Sequence, residues 1–331
     1  MSNVPLDEMP NSSKSRTQLL MSKKLISILA PCYNEEGNVV ELYQRVKAIM
    51  AAESHYEYEH IFIDNASTDS TLALLEGLAA VDQRVKVIVN SRNFGHIRSP
   101  YHALMCAAGD CVVVMASDLQ EPPELIPTFL RLWEKDNPIV AAIKTQSHEN
   151  PAMYRLRSAY YALLRSLASV ALLEHFTGFG LYDKKIVEIL RTFGEPYPYF
   201  RGLISDIGYP VVTVPYTQAT RKNGKTSNNF FTLIDIALLG LTNHSKVPLR
   251  IATIAGLLCS IISFLVGLFY FISKLLFWNS FAIGLAPAII GISFLGSVQL
   301  FFLGMVGEYV GAIFTYSQNR PLVIEKRRIN F

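Results

Sequence analysis

With 331 residues, and with Lys+Arg 30 set against Asp+Glu 27, the chain has a formal charge of only +3, too little to argue for nucleic acid as a partner. Charged residues make up 17% of it, below the roughly 25% of an ordinary soluble domain, and the deficit is concentrated in residues 248–314. The four cysteines, Cys32, Cys106, Cys111 and Cys259, have no C-x-x-C pair and no matching histidine spacing, which argues against a zinc site and for free thiols in a reducing compartment.

Residues 1–24 are polar, with Pro5, Pro10, Asn11, Ser12 and Ser13. They lack the apolar stretch of a signal peptide and read as a disordered tail, with Met21 as an alternative start. A short apolar run at 25–30, ended by Pro31, predicts the first strand, and a helical pattern follows over 37–52. Residues 60–63 predict a second strand that runs into the polar turn 64–69. A helix near 70–81, a strand at 85–90, a helix over about 100–108 and a strand at 111–115 complete the series. This alternation predicts an α/β domain with a doubly wound, mostly parallel sheet. Ligands bind such sheets beyond the carboxyl ends of the strands. The segments to examine are therefore 31–35, 64–69, 91–95 and 116–121.

Beyond Trp133 the pattern turns more helical. Residues 151–173 carry apolar positions at mixed helical spacing, broken by Arg155, Arg157 and Arg165. Residues 228–241 are dominated by Phe230, Phe231, Leu233, Ile234 and Ile236. Either could be a core helix, but the second precedes a long apolar run and reads as an interfacial helix lying on a membrane. Residues 251–272 are long enough to cross a hydrocarbon core of about 30 Å. Residues 281–306 form a second such stretch, whose Pro287 and glycines a membrane helix tolerates. The link between them contains Lys274, Trp278 and Asn279, with Trp278 placed as an interfacial anchor.

Two spans return the chain to its starting side. Lys246, Arg250, Arg320, Lys326, Arg327 and Arg328 flank their outer ends, so the positive-inside rule predicts a cytosolic α/β domain and cytoplasmic termini. The expected division is a tail over 1–24, the α/β domain over 25–227 and the interfacial helix over 228–246. Membrane helices over 247–277 and 281–314 and a basic tail over 315–331 follow. Residues 321–331 alternate and are basic, which leaves a docked strand, a subunit contact and a headgroup-binding segment all open.

Chemistry concentrates at the strand ends. The first reads Ala30-Pro31-Cys32-Tyr33-Asn34-Glu35-Glu36-Gly37, the second Ile63-Asp64-Asn65-Ala66-Ser67-Thr68-Asp69, and the fourth Met115-Ala116-Ser117-Asp118-Leu119-Gln120-Glu121. Singly, such acids are often turn formers or helix caps. In this order and at these spacings, from about residue 25 to 321, the chain resembles the family-two glycosyltransferases of the GT-A fold. Within them it is similar to the polyprenyl-phosphate branch, which includes dolichol-phosphate mannose synthase and bactoprenol glucosyltransferase. Ser91-Arg92-Asn93-Phe94-Gly95, Arg201-Gly202-Leu203, Pro248-Leu249-Arg250 and Gly307-Glu308-Tyr309 extend the resemblance, and two spans behind the catalytic domain fit the bactoprenol type.

The resemblance implies an inverting transfer of a sugar, with UDP-glucose the expected donor, onto a polyprenyl phosphate at the cytoplasmic face of a membrane, the bacterial inner membrane. It implies that Pro31, Tyr33, Glu35, Ile63, Asp64 and Asn65 hold the nucleoside, and that Ala116, Ser117 and Asp118 stand at the D-x-D metal motif. Asp118 and Gln120 would face Mg²⁺ or Mn²⁺, whose oxygen ligands suit them, and Lys144 would contact phosphate. Arg157, Arg201, Arg221, Lys225 and Ser227 are candidates for the donor diphosphate or the acceptor phosphate. Asp118, then Asp64, then Asp206 are the carboxylates expected to carry catalysis. A homo-oligomer, dimer or tetramer, is also implied.

Five departures from the family pattern stand out. Ala116 removes the first acid of D-x-D, Asn65 and Ala66 replace an aspartate and a glycine, Thr177-Gly178-Phe179-Gly180-Leu181 lacks an aspartate, and Ser227 stands for a lysine. A phosphate monoester acceptor has a second pKa of about 6 and needs no proton removed before it attacks, so losing a general base is tolerable. The departures motivate an alternative, a catalytically silent relative that binds nucleotide-sugar and scaffolds a membrane complex. A processive polysaccharide synthase would need more spans and a Q-x-x-R-W motif, and the chain has neither.

Overall fold

The computed structural model describes residues 23–146, 173, 176–219, 247–276, 285–318 and 320–331. The expected tail up to residue 22, the pattern over 151–172 with Arg157, the segment with Arg221, Lys225 and Ser227, the interfacial helix and Trp278 lie outside the described residues.

The apolar runs of the first third become parallel strands because helices cover both their faces. β1 (Leu25–Cys32), β2 (Glu57–Asp64), β3 (Val85–Asn90) and β4 (Cys111–Val114) alternate with α1 (Val39–Ala52), α2 (Thr71–Val81) and α3 (Gly95–Cys106). They pair in parallel in the order β4-β1-β2-β3. In β1, Ile26, Ile28 and Ala30 join one core layer with Leu42 and Phe62, while Leu29 joins the other with Ile61 and Tyr182. Burying each large side chain contributes about 2 kcal/mol. α3 starts before the expected position 100. Gly95, at φ 84, opens it, and Pro100 falls in its second turn, where it cannot donate to the His96 carbonyl.

The helical expectation beyond Trp133, where α4 (Ile126–Trp133) ends, is corrected by three strands. β5 (Ile139–Gln146), β6 (Phe176–Asp183) and β7 (Val211–Thr217) extend the sheet, with α5 (Lys184–Thr192) and α6 (Phe200–Asp206) short between the last two. β6 runs antiparallel between β4 and β5, and β7 pairs in parallel with β5. The composition hid them for a physical reason. A Cβ on Gly180 would lie 2.2 Å from the Val140 carbonyl oxygen, so β5 and β6 approach at a distance only glycine permits. Pro215 lies in β7, an edge strand that can spare a donor.

Of the three options open for the basic tail, the docked strand is the one found. β8 (Glu325–Ile329) pairs antiparallel with β3 and completes the order β7-β5-β6-β4-β1-β2-β3-β8. Its sequence, EKRRI, has little apolar surface, and charge holds it. His102 Nε2 lies 2.5 Å from Glu325 Oε1, Arg328 grips the same carboxylate at 2.6 and 2.7 Å, and Arg327 pairs with Glu76. Among the described residues, His102, Cys106 and Glu325 are the one group with metal-like spacing. Arg328 already occupies that carboxylate and reaches within 3.3 Å of Cys106 Sγ, so the cluster works as a latch. The hydrogen bond from Arg328 holds the Glu325 carboxyl down at about 2, below its ordinary 4.5. The latch therefore strengthens the fold above pH 4.5 and weakens as pH falls toward 2.

Two long helices, α7 (Val247–Leu276) and α8 (Leu285–Ser317), precede this strand. Leu257, Phe264 and Phe269 on α7 and Ile292, Leu300 and Phe301 on α8 are each more than half exposed. Among the described residues, Phe294–Ser317 is the stretch long and apolar enough to cross a membrane.

Candidate active site

β1, flanked by β2 and β4, brings three of the flagged strand ends together. Cys32 is in register with Asp64, and its Sγ lies 3.0 Å from Ser117 Oγ. The chain turns sharply after each strand through left-handed residues, Asn34 (φ 56), Ala66 (φ 61) and Leu119 (φ 59). Each non-glycine residue in that region costs on the order of 1 kcal/mol. Ala66→Gly, which restores the family's glycine, is expected to raise stability by about 1 kcal/mol. A higher thermal midpoint with activity retained is the readout, and an unchanged or lower midpoint would refute it.

The first two loops are stitched together. Asn34 Oδ1 accepts from Thr68 N at 2.8 Å, Asn34 N donates to Ser67 Oγ at 3.0 Å, and Glu35 N donates to Thr71 Oγ1 at 2.8 Å. This leaves the Tyr33 ring 41% exposed above the site, while Glu35 Oε2 accepts from Asn38 Nδ2 at 2.5 Å. Asp64 is buried and accepts from Ser67 N at 3.2 and 3.3 Å. Burial raises its pKa, and those bonds work against the rise. The Ile63 side chain belongs to the core, so that position offers a ligand only its main chain.

Asn65, an expected nucleoside contact, is the hub of a buried network. Its Nδ2 donates to Asn93 Oδ1 at 2.9 Å and to the Gly95 carbonyl at 3.2 Å. Its Oδ1 accepts from Asn90 Nδ2 at 3.0 Å and Phe94 N at 2.9 Å. An aspartate could make only the second pair, which gives this departure from the family a structural cause. Asn65→Asp is expected to destabilise the fold by about 2 kcal/mol. Equilibrium unfolding checks this, and a variant as stable as the parent would remove the hub role.

At the fourth strand end, Ser117 is turned inward and its hydroxyl donates to the Pro31 carbonyl at 2.7 Å, bracing β1 to β4. Asp118 is 8% exposed, and its Oδ1 accepts from Gln120 N at 3.2 Å. Gln120 Nε2 donates to the Ala219 carbonyl at 3.2 Å, which ties the segment after β7 to this turn. Among the described residues, no three-ligand group of acids, histidines or cysteines forms here. A cation at this turn would lean on Asp118, the Gln120 amide oxygen and substrate oxygens, a donor set that fits Mg²⁺ or Mn²⁺. Lys144 sits near the carboxyl end of β5, opposite Tyr216. β5 and β4 run in the same sense through antiparallel β6, so Lys144 and Asp118 share one edge of the sheet.

Beside the turn opens a cavity of about 240 Å³, bounded by Pro31, His96, Tyr101, Ala116, Thr177 and Arg201. Arg201 is thus brought to the site, whereas Asp206, at the exposed end of α6, does not line the cavity. The cavity's acid is Glu121, not singled out from the sequence. Its Oε2 accepts from Ala116 N at 2.7 Å and its Oε1 from Thr177 Oγ1 at 2.8 Å. Burial pushes its carboxyl up to about 7, with the Arg201 charge opposing. Glu121 lies in the flagged segment, but only burial separates it from Glu124, which faces solvent and pairs with Arg45 at 2.7 Å.

The model of the family "Glycosyl transferase family 2" matches residues 27–190. The SfII prophage-derived bactoprenol glucosyl transferase of Shigella flexneri is 32% identical over 303 residues, 91% of this chain and 97% of that protein. The uncharacterized glycosyltransferase YkcC of Bacillus subtilis is also 32% identical, across 91% of this chain and 93% of its own length. Among solved structures, glucosyl-3-phosphoglycerate synthase from Mycobacterium tuberculosis aligns with a TM-score of 0.48 at 17% identity, covering 71% of this chain and 82% of that one.

Proposed function

Because the chain belongs to glycosyl transferase family 2 and is a glycosyltransferase with a GT-A-like α/β fold, we propose that it moves glucose from UDP-glucose onto a polyprenyl phosphate at the cytoplasmic face of a bacterial inner membrane. The observation that carries this reading is similarity along 91% of the chain to a bactoprenol glucosyl transferase, long helices included. The exposed leucines, isoleucines and phenylalanines of α7 and α8 support a two-span hairpin, since soluble proteins rarely leave such continuous apolar surface in water. Assembly as a dimer or tetramer through those helices belongs to the same reading.

In the reaction, an oxygen of the acceptor phosphate forms the new bond to the anomeric carbon while the bond from that carbon to the nucleoside diphosphate breaks, inverting the centre. The acceptor is largely dianionic at neutral pH, with a second pKa of about 6, so no base has to take a proton from it. The Tyr33 face and the Glu35 carboxylate hold the nucleoside, and Asp118 orients the diphosphate. A divalent cation held by Asp118 and Gln120 would offset the charge left on the leaving group. Lys144, near the carboxyl end of β5, and Arg201, in the wall of the cavity, serve as cations for phosphate oxygens.

Purified protein in detergent, given Mg²⁺ or Mn²⁺, short polyprenyl phosphate and a panel of nucleotide-sugars, tests this. UDP release from UDP-glucose that requires both lipid and metal is the expected result. Release from a different donor corrects the sugar. Nucleotide binding without lipid-dependent release from any donor favours the silent relative, the reading that Ala116 motivates.

A further inference from the structure

α8 delivers the chain into a group of arginines. Arg320 follows three residues after the end of α8 at Ser317. Arg98 Nη2 donates to the Pro321 carbonyl at 2.6 Å, which places Arg98 beside Arg320. Arg92 and Arg98 both lie over the ring of Phe94, at 4.0 and 5.6 Å from its centroid. Among the described residues none of the three pairs with a carboxylate. Glu195 lines the same cavity as Arg320, but it is hydrogen-bonded to Tyr316, and burial raises its pKa toward the neutral form. The Arg98 Nε is buried without a hydrogen-bond partner. Burial, and then the Arg92 and Arg320 charges, pull the Arg98 pKa below the ordinary arginine value. Guanidiniums gathered this way lack the oxyanion they are built to fork around.

The position indicates which oxyanion. The candidate span Phe294–Ser317 ends three residues before Arg320, so the group lies within about 10 Å of the span's end. Tyr316 and Tyr197, 41% and 37% exposed, stand beside it as aromatic side chains do at a membrane–water boundary. We infer that Arg92, Arg98 and Arg320 form a docking site for the phosphodiester headgroup of an anionic membrane lipid, distinct from the donor and acceptor sites. The inference rests on the membrane reading of α8. Arg98 lies on α3, which also carries His96 and Tyr101 of the active-site cavity. A bound headgroup would therefore fix that wall of the site relative to the bilayer.

The test uses the full chain in mild detergent, with phosphatidylglycerol, phosphatidylcholine and inorganic phosphate as probes and the thermal midpoint as readout. Phosphatidylglycerol at about a hundredfold excess over its Kd is expected to raise the midpoint by about 5 °C, with no rise from the other two. Arg320→Gln, at an exposed position, and Arg98→Gln should each lose most of that rise. Both should keep the parent's KM for polyprenyl phosphate. An equal response to phosphatidylcholine or to inorganic phosphate overturns the lipid site, as does an unchanged response in both variants. A raised KM for polyprenyl phosphate in Arg320→Gln would assign the arginines to the acceptor instead. A chain that stays soluble without detergent overturns the membrane reading and the docking site together. The UDP-release assay, run on the same preparation, separates that failure from a failure of the arginine site alone.

Discussion

Asp118→Ala is expected to slow sugar transfer by about a thousandfold while the fold stays intact. Ala116 has already removed one acid of the metal motif, so Asp118 is the carboxylate left in that turn to steer a cation to the diphosphate. Losing several kcal/mol of charge stabilisation in the transition state corresponds to a factor of this size. The loss should fall on kcat and on the metal concentration needed for half-activity. Binding of UDP without metal should change little, because Tyr33 and Glu35 lie on another loop. Asp118 accepts from Gln120 N within its own turn, and the thermal midpoint of the variant, measured alongside, shows that the fold is intact. Rates of UDP release across a metal titration decide the matter. A variant within about tenfold of the parent at saturating metal would move the cation site elsewhere.

Glu121→Gln should change how stability responds to pH. Burial lifts this carboxyl from 4.5 to about 7 in the folded chain. A raised carboxyl pKa means the folded state holds its proton more tightly. The resulting stabilisation is complete below pH 4.5 and is lost as pH rises through about 7. The difference amounts to about 3 kcal/mol, or roughly 6 to 12 °C in thermal midpoint for a domain of this size. Glutamine is neutral throughout and can still accept from Ala116 N. The variant should therefore lack this slope and exceed the parent's stability at pH 8. Midpoints measured from pH 4.5 to pH 8 for both proteins are the check, and parallel curves would mean that Glu121 does not titrate in this window.

The parallel half of the sheet was legible because each strand there is a short apolar run and each strand end carries its polar turn at once. The sequence bounds of β3 match the observed ones, and Asp64 and Asp118 fall at the ends of β2 and β4, on either side of β1. The antiparallel half was not legible, because its strands are shaped by neighbours instead of by their own pattern. Gly180 exists to let Val140 approach, and such a residue lowers strand propensity wherever a sequence is read locally. The same limit hid Glu121, whose role comes from Thr177 more than 50 residues away. Asn65 was flagged as a missing acid, and its meaning appeared only once the 91–95 loop could be seen taking both ends of its amide. β8 stayed ambiguous because a charged edge strand, useful against unwanted pairing, has no apolar face to announce itself.

The pairing of β3 with β8 also has a consequence in time. Asn90 waits for Glu325, about 235 residues further on, and a ribosome making about 5 to 20 residues per second needs roughly 10 to 50 s to supply it. Throughout that interval β3 is an open edge, while α7 and α8 are still being synthesised. The eight-stranded sheet is thus finished only after both long helices have been made, so a nascent chain has no complete sheet until its last residues are synthesised.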